Sequence, residues 1–179
     1  NWHEERRFMK VIDCIQRSKT RIFSVEVEPP KLGGSRNDVF NTIDPLVDLG
    51  VKYVNITYHT AKLVDYIEDN GRSHAIYQRL KPGTSGISGA ILERYSEKKV
   101  FPVPHVICTN FSSYDTEDFL HELACLGVKN VLALRGDGQR DQNNRLCSFK
   151  AAPGGHESVL GLIRQISSLR EGKYVGIQS

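Results

Sequence analysis

The chain has 179 residues, 39% of them hydrophobic and 25% charged, which is the composition of a folded globular protein rather than a disordered chain or a disulfide-rich peptide. The 24 Lys and Arg against 21 Asp and Glu give a net charge of +3 without a basic run, so charge alone indicates neither nucleic acid nor an anionic membrane as a partner. The four cysteines are too widely separated for a C-x-x-C metal or redox motif, and we expect reduced, packed thiols.

Residues 1–20 are predicted to form an N-terminal amphipathic helix, because Met9, Ile12 and Ile15 recur at helical spacing among charged residues. No apolar stretch of the sequence approaches the roughly 18 to 20 residues of a membrane span. Charged residues near the N-terminus also interrupt any signal-peptide core. We therefore expect a cytoplasmic protein without a membrane partner.

Residues 21–28 alternate in polarity and are rich in β-branched side chains, which predicts a strand that Pro29 and Pro30 end. Residues 39–49 repeat apolar side chains at helical spacing, which predicts a helix despite Pro45. A strand followed by a helix is the unit from which α/β folds are built.

The same strand and helix pattern continues along the chain. Residues 60–86 are the least patterned stretch, and we expect a long loop there. Thr116 is predicted to cap a helix that faces inward through Phe119 and Leu123. The remaining predicted elements are strands at 51–59, 101–110 and 130–137, helices at 89–99 and 156–170, and the start of a fifth strand at 174–177.

Four strands that are apolar on both faces alternate with helices, which predicts an α/β protein with a buried parallel sheet. Each strand turns polar at its carboxyl end, and both barrels and doubly wound sheets place their sites at that end. The polar residues at these ends are Glu26, Glu28, Thr57, Tyr58, His59, Thr109, Asn110, Arg135 and Asp137.

Glu26 and Glu28 are the two carboxylates of the first strand. Because side chains alternate along a strand, they share one face about 7 Å apart. A carboxylate in an apolar strand is costly unless it is ion-paired, hydrated or used for proton transfer. The strand position leaves open whether one of them is functional or pairs with a lysine or arginine.

The segment from Leu134 to Asp137 ends a strand, and its Gly136 lets the backbone turn sharply or approach a ligand closely. Arg135 is equally compatible with a surface ion pair. The chain has neither of the two common glycine-rich phosphate-binding motifs, so any nucleotide is held in another way. His105, inside the third strand, is by position alone more typical of a hydrogen-bonded core histidine.

Taken together, four segments in this order and spacing resemble the 5,10-methylenetetrahydrofolate reductases: FSVEVEPPK (23–31), VNITY (54–58), PHVIC (104–108) and ALRGD (133–137). The resemblance implies a (β/α)8 TIM-type barrel that holds FAD at the carboxyl ends of its strands. This chain would supply the first half, namely four strands and the start of a fifth. Residues 21–179 would form the N-terminal part of the FAD-binding barrel, which we expect to continue beyond the chain end because such barrels need about 250 residues.

The activity that the resemblance implies is the flavin-dependent reduction of 5,10-methylenetetrahydrofolate to 5-methyltetrahydrofolate, in one-carbon metabolism and methionine synthesis. Hydride would pass from NADH or NADPH to FAD and then to the folate. We expect a homo-oligomer that has no nucleic-acid partner and no metal site.

The resemblance also assigns roles to individual residues. Glu26 corresponds to the proton-donating glutamate, and Asp137 to the aspartate beside the flavin and the pterin. Glu28 stands where the family commonly has an aromatic or aliphatic residue, and a second carboxylate there would compete with Glu26 for its proton. The residues implied to bind the flavin and the nicotinamide are Thr57, Tyr58, Thr60, His105, Arg135, Gly136 and Asp137.

Two other functions remain open from the sequence. One is a half-barrel without turnover that serves as a flavin-binding or subunit-interaction module. The other is a barrel enzyme that binds a phosphate-bearing ligand without flavin. Flavin absorbance of the purified protein separates the second from the rest.

Overall fold

A computed structural model describes residues 10–138 and 145–175 of the chain. The helices are α1 (Val11–Arg17), α2 (Arg36–Asp48), α3 (Thr84–Arg94), α4 (Ser113–Cys125) and α5 (Val159–Arg170). The strands are β1 (Ser24–Val27), β2 (Tyr53–Ile56), β3 (Lys62–Asp69), β4 (Arg72–Gln78), β5 (Phe101–Ile107) and β6 (Leu132–Leu134).

The central feature is a four-stranded parallel sheet in the order β1-β2-β5-β6, which confirms the predicted α/β class. The register sets Glu26 of β1 opposite Asn55 of β2, and Asn55 opposite Val103 of β5. His105 of β5 lies opposite Leu132 of β6. Because directly paired residues share a face and side chains alternate along a strand, Glu26, Asn55 and His105 lie on the same face of the sheet.

The opposite face of the sheet packs against the helices and forms the core. Val54 and Ile56 of β2, Ile43 of α2 and Ile91 of α3 are each fully buried in one apolar cluster. Helix α1 instead lies at the amino ends of the strands, where the Tyr53 hydroxyl donates a hydrogen bond to the Lys10 carbonyl oxygen at 3.2 Å. Helix α1 therefore does not cover the carboxyl ends of the strands, where the polar residues lie.

The stretch predicted as an unpatterned loop contains an antiparallel hairpin formed by β3 and β4. Its turn is made by Asn70 and Gly71, which have φ angles of 49° and 73°. Asn-Gly is a strong signal for this kind of turn. The loop prediction was wrong because Tyr66, Ile67 and other apolar side chains of the hairpin are exposed, so the strands lack the alternation of a half-buried sheet.

The predicted start was furthest from the structure for two helices, whereas α2 and α5 each begin three residues away from their predicted starts, at Arg36 and Val159. Helix α3 begins at Thr84 rather than at residue 89, because its first turn is built from small residues in which only Ile87 carries the apolar pattern. Helix α4 is capped by Ser112 rather than Thr116. The Ser112 side chain accepts a hydrogen bond from the Asp115 backbone N–H, and the Asp115 side chain accepts one from the Ser112 backbone N–H.

At each end of the chain, part of a predicted element lies outside the described residues. Helix α1 covers residues 11–17 of the predicted N-terminal helix, and residues 1–9 lie outside the described part. Tyr174 and Val175 are not in a strand, so the described part of the predicted fifth strand is not a strand, and residues 176–177 lie outside the described part.

Of the four cysteines, Cys108 is buried as expected, but Cys125 and Cys147 are exposed, so packing was wrongly predicted for those two. All four thiols are free of disulfide bonds. Within the described ranges, none of the helices has the length and apolar character needed to cross a membrane.

We predict that Ile43→Ala lowers the free energy of unfolding by about 2 to 5 kcal/mol, because it leaves a cavity where a fully buried side chain meets the sheet. Leu49→Ala is the control, since Leu49 is 79% exposed, and its effect should stay within about 0.5 kcal/mol. Urea denaturation measures both. Equal effects of the two substitutions would contradict the assignment of this core.

Candidate functional site

Every residue predicted for the site lies at the carboxyl ends of the parallel strands. Glu26 and His105 are within β1 and β5, and the remaining residues follow β2 and β6 in loops. The structure brings together Glu26 with His105, and the loop around Gly136 with Thr109. Tyr58 and Thr60 instead line a separate cavity on the same edge.

Glu26 and His105 form the central pair. The Glu26 Oε2 and His105 Nε2 atoms are 3.6 Å apart, and the Glu26 side chain is 61% exposed whereas that of His105 is 7% exposed. Burial lowers the pKa of His105, and the nearby Glu26 charge opposes this only in part, so the imidazole is neutral at neutral pH.

The buried Nε2 atom of His105 has no hydrogen-bond partner. Leaving such a group unsatisfied costs on the order of 1 to 3 kcal/mol. A ligand at the carboxyl ends of the strands, or a small movement of the Glu26 carboxyl, would give this nitrogen a hydrogen-bond partner. This observation favours a functional His105 over the core histidine that strand position alone suggested.

Glu28 has a different environment from Glu26. Its Oε2 accepts a hydrogen bond from Lys81 Nζ at 2.5 Å, and its Oε1 lies 4.0 Å from His59 Nε2. The hydrogen bond from Lys81, together with its charge, lowers the pKa of Glu28. Glu28 is therefore ion-paired, which is one of the two alternatives that the sequence left open.

His59 joins this ion pair to the loop after β2. Its Nε2 lies 3.3 Å from Lys81 Nζ and 3.0 Å from Thr57 Oγ1. An ammonium group only donates hydrogen bonds, so in the contact with Lys81 the Nε2 atom is the acceptor and Nδ1 carries the ring proton. Burial, and then the charge of Lys81, lower the pKa of His59, which keeps this ring neutral.

Gly136 forms a tight turn after β6 with a φ angle of +79°. The Thr109 hydroxyl donates to the Asp137 carbonyl oxygen at 2.7 Å, with the Arg135 carbonyl oxygen at 3.2 Å. A Cβ atom on Gly136 would collide with that hydroxyl. Thr109 therefore holds the backbone on which Arg135 and Asp137 are presented, and the turn needs glycine.

Arg135 and Tyr58 are both placed by aromatic neighbours. The Arg135 guanidinium lies over the Phe149 ring at 5.2 Å. Tyr58 packs edge-on against Phe111 and Phe119, with ring centroids 5.2 and 5.5 Å apart. Burial raises the pKa of the Tyr58 phenol, so Tyr58 is a neutral hydrogen-bonding group.

A cavity of about 560 Å³ opens beside Tyr58 and Thr60. The hairpin supplies Tyr77 and Arg79 to its wall, so this wall combines aromatic rings with a cationic group. Asp115 adds a carboxylate to this lining, so the cavity offers aromatic surface together with one group of each charge. The lining residues are Tyr58, Thr60, Ala61, Tyr77, Arg79, Asn110, Phe111 and Asp115.

Lys81, Arg79 and Tyr77 are site residues that sequence reasoning missed. All three belong to the stretch that was predicted to be a loop, and their positions follow only from the hairpin. Thr109 was predicted at the polar end of a strand, but its hydrogen bonds to the Gly136 turn could not be predicted because they join residues far apart in the chain. In residues 10–138 and 145–175, no three His, Cys, Asp or Glu side chains are grouped so as to hold a metal ion.

Comparison with known proteins gives a family match over nearly the whole chain. Residues 10–178 match the profile of the family described as "Methylenetetrahydrofolate reductase". A rice (Oryza sativa subsp. japonica) protein named "Probable methylenetetrahydrofolate reductase (NADH)" is 28% identical over 173 residues, which are 94% of this chain and 25% of the rice protein.

Two further relatives come from other kingdoms. The "5,10-methylenetetrahydrofolate reductase" of Pectobacterium carotovorum subsp. carotovorum is 25% identical over 64% of this chain and 32% of its own length. A Caenorhabditis elegans protein named "Probable methylenetetrahydrofolate reductase (NADPH)" is 24% identical over 73% of this chain and 17% of its own length. The chain thus spans about a quarter of the plant relatives that it matches.

We predict that Gly136→Ala destabilises the protein more than Gly172→Ala, although both glycines have a φ angle of +79°. At Gly172 a Cβ atom meets nothing within 4 Å, so this control reports only the backbone strain, about 1 to 2 kcal/mol. Gly136→Ala should cost at least about 1 kcal/mol more because it also displaces the Thr109 hydroxyl from its hydrogen bonds. Urea denaturation of the two variants compares these costs, and equal costs would contradict the proposed tight approach.

Proposed function

The chain belongs to the methylenetetrahydrofolate reductase family, and from this membership we propose that it takes part in the flavin-dependent reduction of 5,10-methylenetetrahydrofolate to 5-methyltetrahydrofolate, with NADH or NADPH as hydride donor. The observation that carries the proposal is at the carboxyl ends of the strands, where the exposed Glu26 carboxyl lies 3.6 Å from a buried His105 nitrogen that has no hydrogen-bond partner. A proton donor and a hydrogen-bonding atom open to a ligand, both at the carboxyl ends of the strands, suit this reaction.

We propose that the parallel sheet is part of a (β/α)8 barrel. The strands β1, β2, β5 and β6 neighbour one another in chain order, apart from the inserted hairpin. Barrel strands follow chain order in this way, whereas a doubly wound sheet reverses its order at a switch point. Three further points remain predictions: that residues 21–179 are the N-terminal part of a longer barrel, that the protein is a homo-oligomer, and that it is cytoplasmic.

The residues at the carboxyl ends of the strands are compatible with a bound flavin. The unpartnered Nε2 of His105 is a buried hydrogen-bonding atom available to a ligand, and the Gly136 turn follows β6, the strand that pairs with the strand of His105. When bound, FAD would supply the two-electron carrier between nicotinamide and folate. The residues proposed to hold it and the nicotinamide are Thr57, Tyr58, Thr60, His105, Arg135, Gly136 and Asp137.

Glu26 is the proposed proton donor to the folate. In the reaction, its proton goes to one nitrogen of the methylene bridge, the bond from that nitrogen to the bridge carbon breaks, and the other nitrogen becomes an iminium that accepts hydride. The exposed Glu26 side chain is open to substrate and to solvent, which can return the proton. Glu28 is unsuited to this role because its bond to Lys81 favours the ionised carboxylate.

We predict that Glu26→Gln abolishes folate reduction but leaves the reduction of bound FAD by NADH or NADPH largely intact, because only the second half-reaction consumes the proton. Anaerobic stopped-flow absorbance of the flavin measures the two half-reactions separately in the natural protein.

Glu28→Gln is the matched control for this substitution, and it should retain folate reduction at its own pH optimum. Loss of folate reduction in Glu28→Gln with retention in Glu26→Gln would reverse the assignment. A protein that binds FAD but catalyses neither half-reaction would instead support the non-catalytic flavin-binding module.

We predict that Asp137→Asn raises the reduction potential of bound FAD. A carboxylate beside the flavin disfavours its anionic reduced form by Coulomb repulsion, on the order of 1 to 4 kcal/mol at close range. Spectroelectrochemical titration measures the potential. Asp48→Asn removes the same charge from the outer helix α2 and should leave the potential unchanged, and an unchanged or lower potential in Asp137→Asn would count against the role of Asp137.

A further inference from the structure

Thr109 is a buried polar residue that follows β5, and its hydroxyl group contacts the loop after β6. Thr109 is 5% exposed. Its Oγ1 atom lies 2.7 Å from the Asp137 carbonyl oxygen and 3.2 Å from the Arg135 carbonyl oxygen, so the hydroxyl donates to the first and is shared with the second. Gly136 stands between these two acceptors. One buried side chain therefore holds the backbone on both sides of the Gly136 turn.

The pairing of β5 with β6 does not extend to Asp137. It ends at Leu134, and beyond it the Cys108 backbone N–H donates to the Leu134 and Arg135 carbonyl oxygens at 3.2 and 3.1 Å. Asp137 is itself exposed, so its position does not come from burial of its side chain. The hydrogen bond from Thr109 extends the contact with the end of β5 by two residues, from Arg135 to Asp137.

These hydrogen bonds restrict the direction in which the Asp137 side chain leaves the backbone. The described residues contain no cis peptide bond, and each trans peptide group is planar. The two carbonyl groups that Thr109 contacts belong to the peptide planes before Gly136 and after Asp137. Fixing both planes limits the backbone rotations at these two residues, and the Cα–Cβ direction of Asp137 depends on those rotations.

We propose that Thr109 is a positioning residue for the flavin site, because its hydroxyl holds the Gly136 turn so that the Asp137 carboxylate stays beside the flavin. The inference rests on the proposed function, in which the charge of Asp137 lowers the reduction potential of bound FAD. The Arg135 guanidinium is anchored separately, by its contact with the Phe149 ring at 5.2 Å. Loss of the Thr109 hydroxyl should therefore displace the charge of Asp137 more than that of Arg135.

Hydrogen exchange tests the contact without turnover. Thr109→Val removes the hydroxyl but keeps the side-chain shape, so the amide hydrogens of residues 135–138 should exchange about two- to tenfold faster in the natural protein, which is the effect of one lost hydrogen bond. Thr116→Val is the matched control, since Thr116 is 1% exposed and its hydroxyl donates to the Ser112 carbonyl oxygen at 3.0 Å. This control should leave exchange in residues 135–138 unchanged. Mass spectrometry measures both variants, and unchanged exchange in Thr109→Val would overturn the inference.

The reduction potential of bound FAD is the readout that a purely structural role of Thr109 would not move. Thr109→Val should raise this potential, as Asp137→Asn does, but by a smaller amount, because the carboxylate is displaced rather than removed. Thr109→Ser keeps the hydroxyl and should retain the wild-type potential, and Thr116→Val should also leave it unchanged. Spectroelectrochemical titration measures all of these variants. Thr109→Ala removes the same hydroxyl without placing a methyl group against the carbonyl oxygens, and it gives the same test if Thr109→Val does not fold.

A double variant shows whether Thr109 acts through Asp137. In protein that already carries Asp137→Asn, Thr109→Val should have no further effect on the potential. An equal shift in both backgrounds would overturn the inference, because Thr109 would then act independently of Asp137. Natural protein that binds no FAD would overturn the proposed function and with it this inference. A potential that responds to Asp137→Asn but not to Thr109→Val would overturn this inference alone.

Discussion

Parallel pairing of four strands in chain order is the constraint on which the candidate site depends. The register that sets Glu26 opposite Asn55, and His105 two residues beyond Val103, brings side chains from distant parts of the sequence to one edge. Helices α2 and α3 bury the other face with side chains such as Ile43 and Ile91. The apolar face stabilises the sheet, and the second face is thereby free to carry polar chemistry.

The site separates polar groups by giving each a different partner. Glu26 stands next to a neutral, buried imidazole, whereas Glu28 stands next to a cation at 2.5 Å. The Lys81 ammonium favours the ionised form of Glu28, whereas Glu26 faces an imidazole, so two chemically identical side chains have different partners. The division comes from the neighbours of β1 and not from β1 itself.

This dependence on neighbouring elements explains which features of the structure could be predicted from the sequence. Apolar strands and helical spacing were enough to predict the α/β class, and strand ends were enough to place Glu26, His105 and Gly136 at one edge. Strand position could not separate Glu26 from Glu28, because the cation that separates them is 53 residues away in the chain. The hairpin was missed although Asn70-Gly71 signals its turn, since its exposed apolar side chains carry no amphipathic pattern.

The anchoring of the hairpin connects these observations. A two-stranded hairpin is marginally stable by itself in water, and the side chains of β3 and β4 are largely exposed. Its base is held differently, because His59 precedes β3, Lys81 follows β4, and both contact Glu28 at the end of β1. Arg79 and Tyr77 adjoin that base, so the same contacts that order the Glu28 carboxylate also hold the cationic and aromatic wall of the cavity beside Tyr58.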